Sequence, residues 1–210
     1  MSAGYRRLFG GLDPCGADAA DLARLAASMI ERYNTNPRYA AAPTNLHAMP
    51  AGYTYLGQFV DHDLTFEVES RLGEAAPVDQ LRNARSPRFD LDSVYGGGPI
   101  VDPHLYGDDG AFRIDRRCGA VPAPGGVRNI EFEDLPRAGP LAVIADPRND
   151  ENQLIGQLHL AFLKFHNRVL REVGSFAAAR QIVCWHYQFM VLTSFLPKLL
   201  GVDRERDTSV

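Results

Sequence analysis

The sequence is poor in cysteine, contains no long apolar run and has no excess of basic residues. Its three cysteines, Cys15, Cys118 and Cys184, are too few and too scattered for a disulfide framework or a zinc site. The most apolar stretch, residues 189–200, is broken by polar residues and a proline, which argues against a membrane span. These shortages predict a soluble protein of a reducing compartment.

Charge and chain length exclude further classes. A net charge of −4 and an isoelectric point near 5.8 predict neither a nucleic-acid-binding surface nor a polybasic membrane anchor. No apolar segment follows the basic residues Arg6 and Arg7, so no signal peptide is predicted. A cytoplasmic location is expected, with secretion by another route left open. The 210 residues, 45% of them hydrophobic, suffice for one sizeable core or, at a stretch, two small domains, and a single domain over residues 1–210 is expected.

The most informative stretch is residues 57–66, Gly-Gln-Phe-Val-Asp-His-Asp-Leu-Thr-Phe. As a helix it places Gln58, Asp61 and His62 on one face, with Asp63 about a quarter-turn away, toward a different site. The residues alone allow a surface helix start with acidic side chains, or a buried helix that presents three polar groups to one cavity. The apolar residues on both sides favour burial, and buried polar groups need partners.

The two ends of the chain carry little predicted structure. Residues 1–17 are interpreted as a loose leader and residues 203–210 as a frayed tail. After the leader, apolar residues at helical spacing predict a helix that begins at the N-cap Asp18 and stops at residues 34–37.

Two loop regions are predicted in the middle of the chain. In an extended loop the alternate residues Ser86, Asp90 and Asp92 would point the same way, with the Arg88 carbonyl between them. Such hard oxygen ligands suit calcium, although the spacing by itself favours a solvated acidic turn. Residues 97–140 hold much of the glycine and proline and are predicted to form a long loop region.

The C-terminal third predicts two long helices. The first starts at Asp146-Pro147 and ends at Gly174, with Arg148 and Glu151 on one face of its first turn, a spacing that by itself indicates an ordinary ion pair. The second covers residues 177–201 as a buried helix with a kink or restart at Pro197. Its expected buried side chains include Trp185, Phe189 and Leu192, and its His186 is expected in the core, as are two histidines of the first helix, His159 and His166.

Three of these motifs together resemble the animal-type haem peroxidases, the peroxidase–cyclooxygenase superfamily. Residues 52–66 resemble the distal-histidine helix of that family, residues 146–168 its catalytic-arginine helix, and residues 86–96 its calcium loop, which ends in the same Val-Tyr-Gly. The resemblance covers about residues 5–202 and is similar to the N-terminal, distal part of a larger catalytic domain, as in a bacterial, intracellular relative. It implies a mainly α-helical, incomplete haem-peroxidase domain with long loops and little or no sheet.

The resemblance also implies a haem b site. It assigns His62 the role of moving a proton between the two oxygens of hydrogen peroxide, and Arg148 that of stabilising the developing negative charge. Gln58 would hold a water or a small anion, and Asp61 and Glu151 would form ester bonds to the haem. The family's calcium ligands correspond here to Asp63, Ser86, the Arg88 carbonyl, Asp90 and Asp92.

The expected function is therefore oxidation of a small organic substrate or halide by hydrogen peroxide. No histidine of this chain lies in a stretch that resembles the family's proximal helix, so the chain is expected to be inactive until a proximal half is supplied in cis or in trans. Two alternatives remain, a fatty-acid dioxygenase of the same superfamily and a catalytically inactive calcium-binding remnant. Haem binding would separate the remnant from the two enzymes.

Overall fold

A computed structural model describes residues 3–4, 11, 16, 18–29, 49–67, 77 and 80–200. The described residues are about 52% helical, which confirms the expectation of a mainly α-helical protein with little sheet. Contacts group the chain into two units, Arg6–Met49 and a larger unit of Met1–Tyr5 with Pro50–Val210. Whether the whole chain forms one domain stays a prediction.

The smaller unit contains helix α1, Ala19–Met29. Its start is as predicted, because the Asp18 carboxylate accepts a hydrogen bond from the Ala20 backbone N–H at 2.7 Å. The predicted stop at residues 34–37 lies outside the described residues.

The N-terminal leader contributes a short strand to the larger unit. Ala3–Gly4 (β1) pairs antiparallel with Arg82–Asn83 (β2). The loose leader over residues 1–17 stays a prediction. The predicted frayed tail, residues 203–210, lies outside the described residues.

Four helices carry most of the larger unit. They are α2, Gly52–Leu64; α3, Asp92–Tyr95; α4, Gln153–Val173; and α5, Phe176–Met190. An aromatic cluster joins three of them, since Phe59 of α2 stacks on Phe162 of α4 with ring centroids 5.0 Å apart. Tyr187 of α5 meets both rings edge-on. Aromatic pairs of this kind stabilise the core beyond simple burial, and the cluster fixes α2 against α4.

The first C-terminal helix does not start where the sequence indicated. Pro147–Asp150 forms a separate 3-10 helix, and α4 begins only after Asn152. The Asn152 backbone is extended, and its side chain accepts hydrogen bonds from the N–H groups of Leu154 and Ile155, which gives α4 its own N-cap. Gly174 ends α4 in the left-handed conformation, as predicted.

The second C-terminal helix changes type before Pro197. A π-helix, Val191–Phe195, follows α5 and leads into α6, Leu196–Leu200. Because proline has no N–H, Pro197 cannot extend a regular α-helical ladder, and the wider π turn lies where the kink or restart was predicted. The predicted end at Gly201 lies outside the described residues.

The expected burial of this second helix was wrong for one side. Trp185, Phe189 and Leu192 are 58%, 67% and 57% exposed, and His186 is exposed rather than in the core. The opposite side, which includes Val183 and Tyr187, is buried. One side of the helix is therefore buried and the other exposed, although both carry apolar side chains. Sequence periodicity could not show which side faces the core.

Residues 97–140 are not only loop. A hairpin of two nine-residue antiparallel strands, β3 (Asp115–Ala123) and β4 (Gly126–Asp134), occupies their second half. Pro124 and Gly125 form its turn, with Gly125 at φ 88°, as a type II turn requires. A shorter pair, β5 (Arg137–Ala138) and β6 (Leu141–Ala142), follows. The glycine and proline residues of this region mark its turns. They led to the prediction of a continuous loop because they give no sign of the strands between the turns.

None of the helices in the described part of the chain combines the length and apolarity needed to cross a membrane.

Candidate functional site

Helix α2 places adjacent polar residues in different surroundings. His62 and Asp63 are 5% and 0% exposed, whereas Asp61 is exposed. This arrangement follows from the turn of about 100° per residue and from the packing of Phe59 and Val60, both buried, against the core. The predicted burial of this stretch is therefore confirmed for the side that carries His62 and Asp63.

Two side-chain bridges connect α2 to the segment before α4. His62 Nδ1 lies 2.9 Å from Asn149 Oδ1, and Gln58 Nε2 donates a hydrogen bond to Glu151 Oε2 at 2.8 Å. Gln58 and His62 are four residues apart on α2, so the two bridges lie on successive turns. Three residues expected at the haem site, Gln58, His62 and Glu151, are therefore brought together. Asn149 was not predicted, since a lone asparagine in a turn carries no sequence signal.

Asp61 lies apart from these bridges. It is exposed, and its carboxylate accepts a hydrogen bond from Thr65 Oγ1 at 3.1 Å. Helical spacing alone had placed it on one face with Gln58 and His62. Its ester bond to haem stays a prediction.

Arg148 binds the C-terminal end of α2. Its Nη2 donates to the backbone carbonyls of His62 at 3.0 Å and Thr65 at 2.7 Å. Carbonyls at a helix C-terminus lack partners within the helix, so the guanidinium stabilises this end. The ordinary ion pair with Glu151 that the spacing allowed is not formed, because Glu151 bonds to Gln58. The bonds of Arg148 use Nε and Nη2 and leave Nη1 for another partner.

A buried carboxylate holds Arg148 in this position. Asp146, 0% exposed, accepts hydrogen bonds from Arg148 Nε and Nη2 at 3.0 and 2.7 Å and from Arg85 Nη2 at 2.5 Å. Burial by itself raises the pKa of Asp146, but the bonds from Arg148 and Arg85 outweigh it and hold this pKa below its usual range. Asp146 is therefore ionised between two cations. No sequence pattern indicated Arg85, and Asp146 was predicted only as a helix start.

Asp63 belongs to a cluster of three carboxylates, which we call the carboxylate group. Carboxylate oxygens of Asp63, Asp90 and Asp92 all lie within 4.8 Å of one another. The intervening loop brings them together differently from the predicted extended form, since Phe89 and Leu91 have positive φ values of 53° and 56°. Non-glycine residues adopt this conformation at a cost, and here the two turns bring Asp90 and Asp92 onto Asp63.

Several oxygen atoms in and beside this carboxylate group have no hydrogen-bond partner. Among the described residues, Ser86 Oγ, Asp90 Oδ1 and Asp92 Oδ1 are buried without hydrogen-bond partners. Burial, followed by the charge of Asp92, raises the pKa of Asp63 to about 7. Arg85 Nε lies 3.8 Å from Asp92 Oδ1 and offsets part of the repulsion. Unpaired, mutually repelling oxygens are a donor set that a hard cation such as calcium satisfies. The role of the Arg88 carbonyl stays a prediction.

The comparisons with known proteins add no relative. No protein-family model matches the chain, and no curated protein matches it significantly.

Proposed function

We propose that this chain supplies the peroxide-facing half of a haem peroxidase site, with His62 as its acid–base group. The observation that supports this most is the placement of His62, whose Nδ1 faces Asn149 while Nε2 is left for a substrate. Gln58 and Glu151 lie beside it on the next turn. An anchored imidazole with a neighbouring amide and carboxylate suits proton transfer to and from a small polar molecule.

Each residue has a defined task in this proposal. His62 Nε2 accepts a proton from one oxygen of hydrogen peroxide and returns it to the other, and Gln58 holds a water or a small anion. Arg148 stabilises negative charge through Nη1 of its guanidinium. Asp61 and Glu151 would hold a haem b, directly or as esters. When bound, haem supplies the redox chemistry, and a small organic molecule or halide is the reducing substrate.

The axial ligand of the haem comes from another polypeptide segment in this proposal. His159 and His166 are 0% exposed and held within the core, the former against Asn149 and the latter against the Tyr95 hydroxyl. A haem iron needs such a ligand to set its potential. The chain by itself is therefore expected to bind haem weakly and to show negligible peroxidase turnover.

A calcium ion belongs to the same proposal. Asp63, Ser86, Asp90 and Asp92 would bind it and tie the loop to α2, next to His62. The unpaired buried oxygens support this assignment, because an ion satisfies them where no protein donor does.

Haem titration with added imidazole tests the proposal. Free imidazole serves as the missing axial ligand, and absorbance reports haem binding by the purified chain. We expect imidazole-dependent oxidation of a phenol by hydrogen peroxide, which His62→Ala lowers by at least about 100-fold. His186→Ala, at an exposed histidine on α5, is the matched control and should leave the rate unchanged. Equal rates in His62→Ala and the control would refute the role of His62.

A second candidate is a catalytically inactive cation-binding module. One observation in its favour is the carboxylate group of Asp63, Asp90 and Asp92, which needs no haem to bind an ion. Another is that Arg148 binds backbone carbonyls at the end of α2, which gives this arginine a structural role. Calcium binding by calorimetry together with no haem absorbance change, with or without imidazole, would support this candidate over the peroxidase.

A further inference from the structure

Behind His62 the structure contains a row of three polar side chains. His62 Nδ1 lies 2.9 Å from Asn149 Oδ1, and Asn149 Nδ2 lies 3.0 Å from His159 Nδ1. The three residues come from α2, from the 3-10 helix and from α4, and they are 5%, 0% and 0% exposed. Buried from water, these atoms depend on one another for hydrogen bonds.

We infer that Asn149 is a positioning residue that fixes the tautomer of His62, with a proton on Nδ1 and a lone pair on Nε2. The carboxamide faces His62 with its oxygen, which can only accept, so a neutral His62 must donate from Nδ1. It faces His159 with its nitrogen, which can only donate, so His159 Nδ1 must accept.

His159 is suited to this accepting role. Burial lowers its pKa to about 4, against the opposing effect of Asp146 and Asp150, so it is neutral at physiological pH. A neutral histidine is more stable with its proton on Nε2, which leaves Nδ1 bare. The contact with Asn149 Nδ2 therefore places the His159 proton on Nε2, an atom that is buried without a hydrogen-bond partner, and the amide imposes the less stable tautomer on His62.

This inference deepens the proposed function and rests on it for its consequence. A base that takes a proton from hydrogen peroxide needs a lone pair on the nitrogen facing the substrate. After the proton reaches Nε2, the imidazolium still donates from Nδ1 to Asn149 Oδ1, so the same bond holds both protonation states. His159 acts only through Asn149 and touches no substrate.

Nitrogen-15 NMR of the purified chain, labelled at histidine, tests the inference without haem. Spectra at about pH 8, where imidazoles are largely neutral, distinguish protonated from bare ring nitrogens. His62→Gln identifies the His62 signals. We expect Nδ1 protonated and Nε2 bare in the wild type, and a shift of the tautomer ratio toward the Nε2–H form by about tenfold in Asn149→Leu, which removes the acceptor. A wild-type His62 with its proton on Nε2 would overturn the inference whether or not any variant folds.

Matched variants separate positioning from a general loss of structure. Asn149→Asp keeps an acceptor of the same shape and should keep the proton on Nδ1. His159→Gln retains an acceptor for the amide and should behave as wild type, whereas His159→Leu should shift the His62 tautomer partly. Asn129→Ala, at an exposed site on β4, controls for loss of an asparagine. An unchanged tautomer in a folded Asn149→Leu variant would also refute the inference.

The two proposals fail in different ways. If the tautomer depends on Asn149 but no haem binds, the peroxidase proposal falls and the positioning role stands. If haem binds and His62→Ala loses activity, but the His62 tautomer is unchanged when Asn149 is substituted, the positioning role falls and the peroxidase proposal stands.

Discussion

At the scale of the residue, His62 and Asp63 show how one step along a helix separates two sites. His62 contacts Asn149, while Asp63 accepts hydrogen bonds from the Leu91 N–H and the Ser93 hydroxyl, each at 3.3 Å. Both side chains are buried, so neither can turn to water for a partner. The two side chains are thus adjacent on the α2 backbone but share no hydrogen-bond partner.

Asp63→Asn should weaken calcium binding by at least about tenfold, because it removes one of three converging carboxylate charges. Titration calorimetry of the folded chain measures this. For the wild type, calcium at about 100 times its dissociation constant should stabilise the fold by about 2.7 kcal/mol. Asp108→Asn, at an exposed carboxylate, is the control. The calcium assignment is wrong if the wild type binds no calcium or if Asp63→Asn binds it equally well.

Asp146→Asn should destabilise the protein by about 3–5 kcal/mol, because it removes the carboxylate partner of Arg148 and leaves Arg85 with only the more distant Asp92. Urea unfolding gives the free energy. Glu172→Gln breaks the exposed ion pair with Arg168 and should cost less than about 1 kcal/mol. Similar losses in the two variants would show that Asp146 is not the buried anchor described above.

The sequence predicted that His62 and Asp63 face different sites, because helix geometry determines that, but it grouped Asp61 with Gln58 and His62, from which the exposed Asp61 lies apart. It could not predict the partners, since Asn149 and Arg148 bond to His62 from 87 and 86 residues away along the chain. Arg148 illustrates the limit: the sequence indicated a functional arginine, but only the fold shows that two of its nitrogens bind α2 carbonyls and Asp146. Long-range side-chain bonds leave no periodic signal.

At the scale of the element, α5 has two apolar sides with different surroundings. Val183 is 1% exposed, whereas Trp185 is 58% exposed only two residues later. Free energy of folding depends on area removed from water, so the two sides contribute very differently to stability despite similar side chains.

Trp185→Ser should change the free energy of unfolding by less than about 0.5 kcal/mol, because this side chain buries little area. Val183→Ala, on the core side of the same helix, should cost about 2 kcal/mol through lost burial and a residual cavity. Urea unfolding of both variants checks the pair. A large loss in Trp185→Ser would mean that the exposed side packs against something in solution.

Element boundaries followed the sequence where a cap or breaker marked them. Asp18 and Gly174 lie where the predicted helices begin and end. Asn152 was overlooked as an N-cap, because the apolar spacing continued across it and the first turn was merged with α4. The β3–β4 hairpin was missed for a similar reason, since glycine and proline near its turn outweighed the strands on either side.

At the scale of the whole molecule, buried histidines couple the core to pH. His159 and His166 are both 0% exposed, and burial lowers the pKa of each to about 4. The unfolded chain binds a proton at each histidine below about pH 6.5, whereas the folded chain does not until about pH 4. The unfolded state therefore gains protons as the pH falls, and stability falls with it. Asp63 acts in the opposite direction, since its folded-state pKa is raised.

Comparison of variants separates these opposing effects, because Asp63 contributes equally to the wild type and to each histidine variant. Between about pH 7.5 and pH 5, His159→Gln and His166→Gln should each lose about 2 kcal/mol less stability than the wild type, as the pKa shifts require. Urea unfolding at the two pH values measures the difference. His186→Gln, at an exposed histidine, should follow the wild type. If all three variants show the wild-type dependence, the two core histidines are already accessible to protons in the folded protein, and the tight core around α4 that holds His159 against Asn149 does not persist in solution.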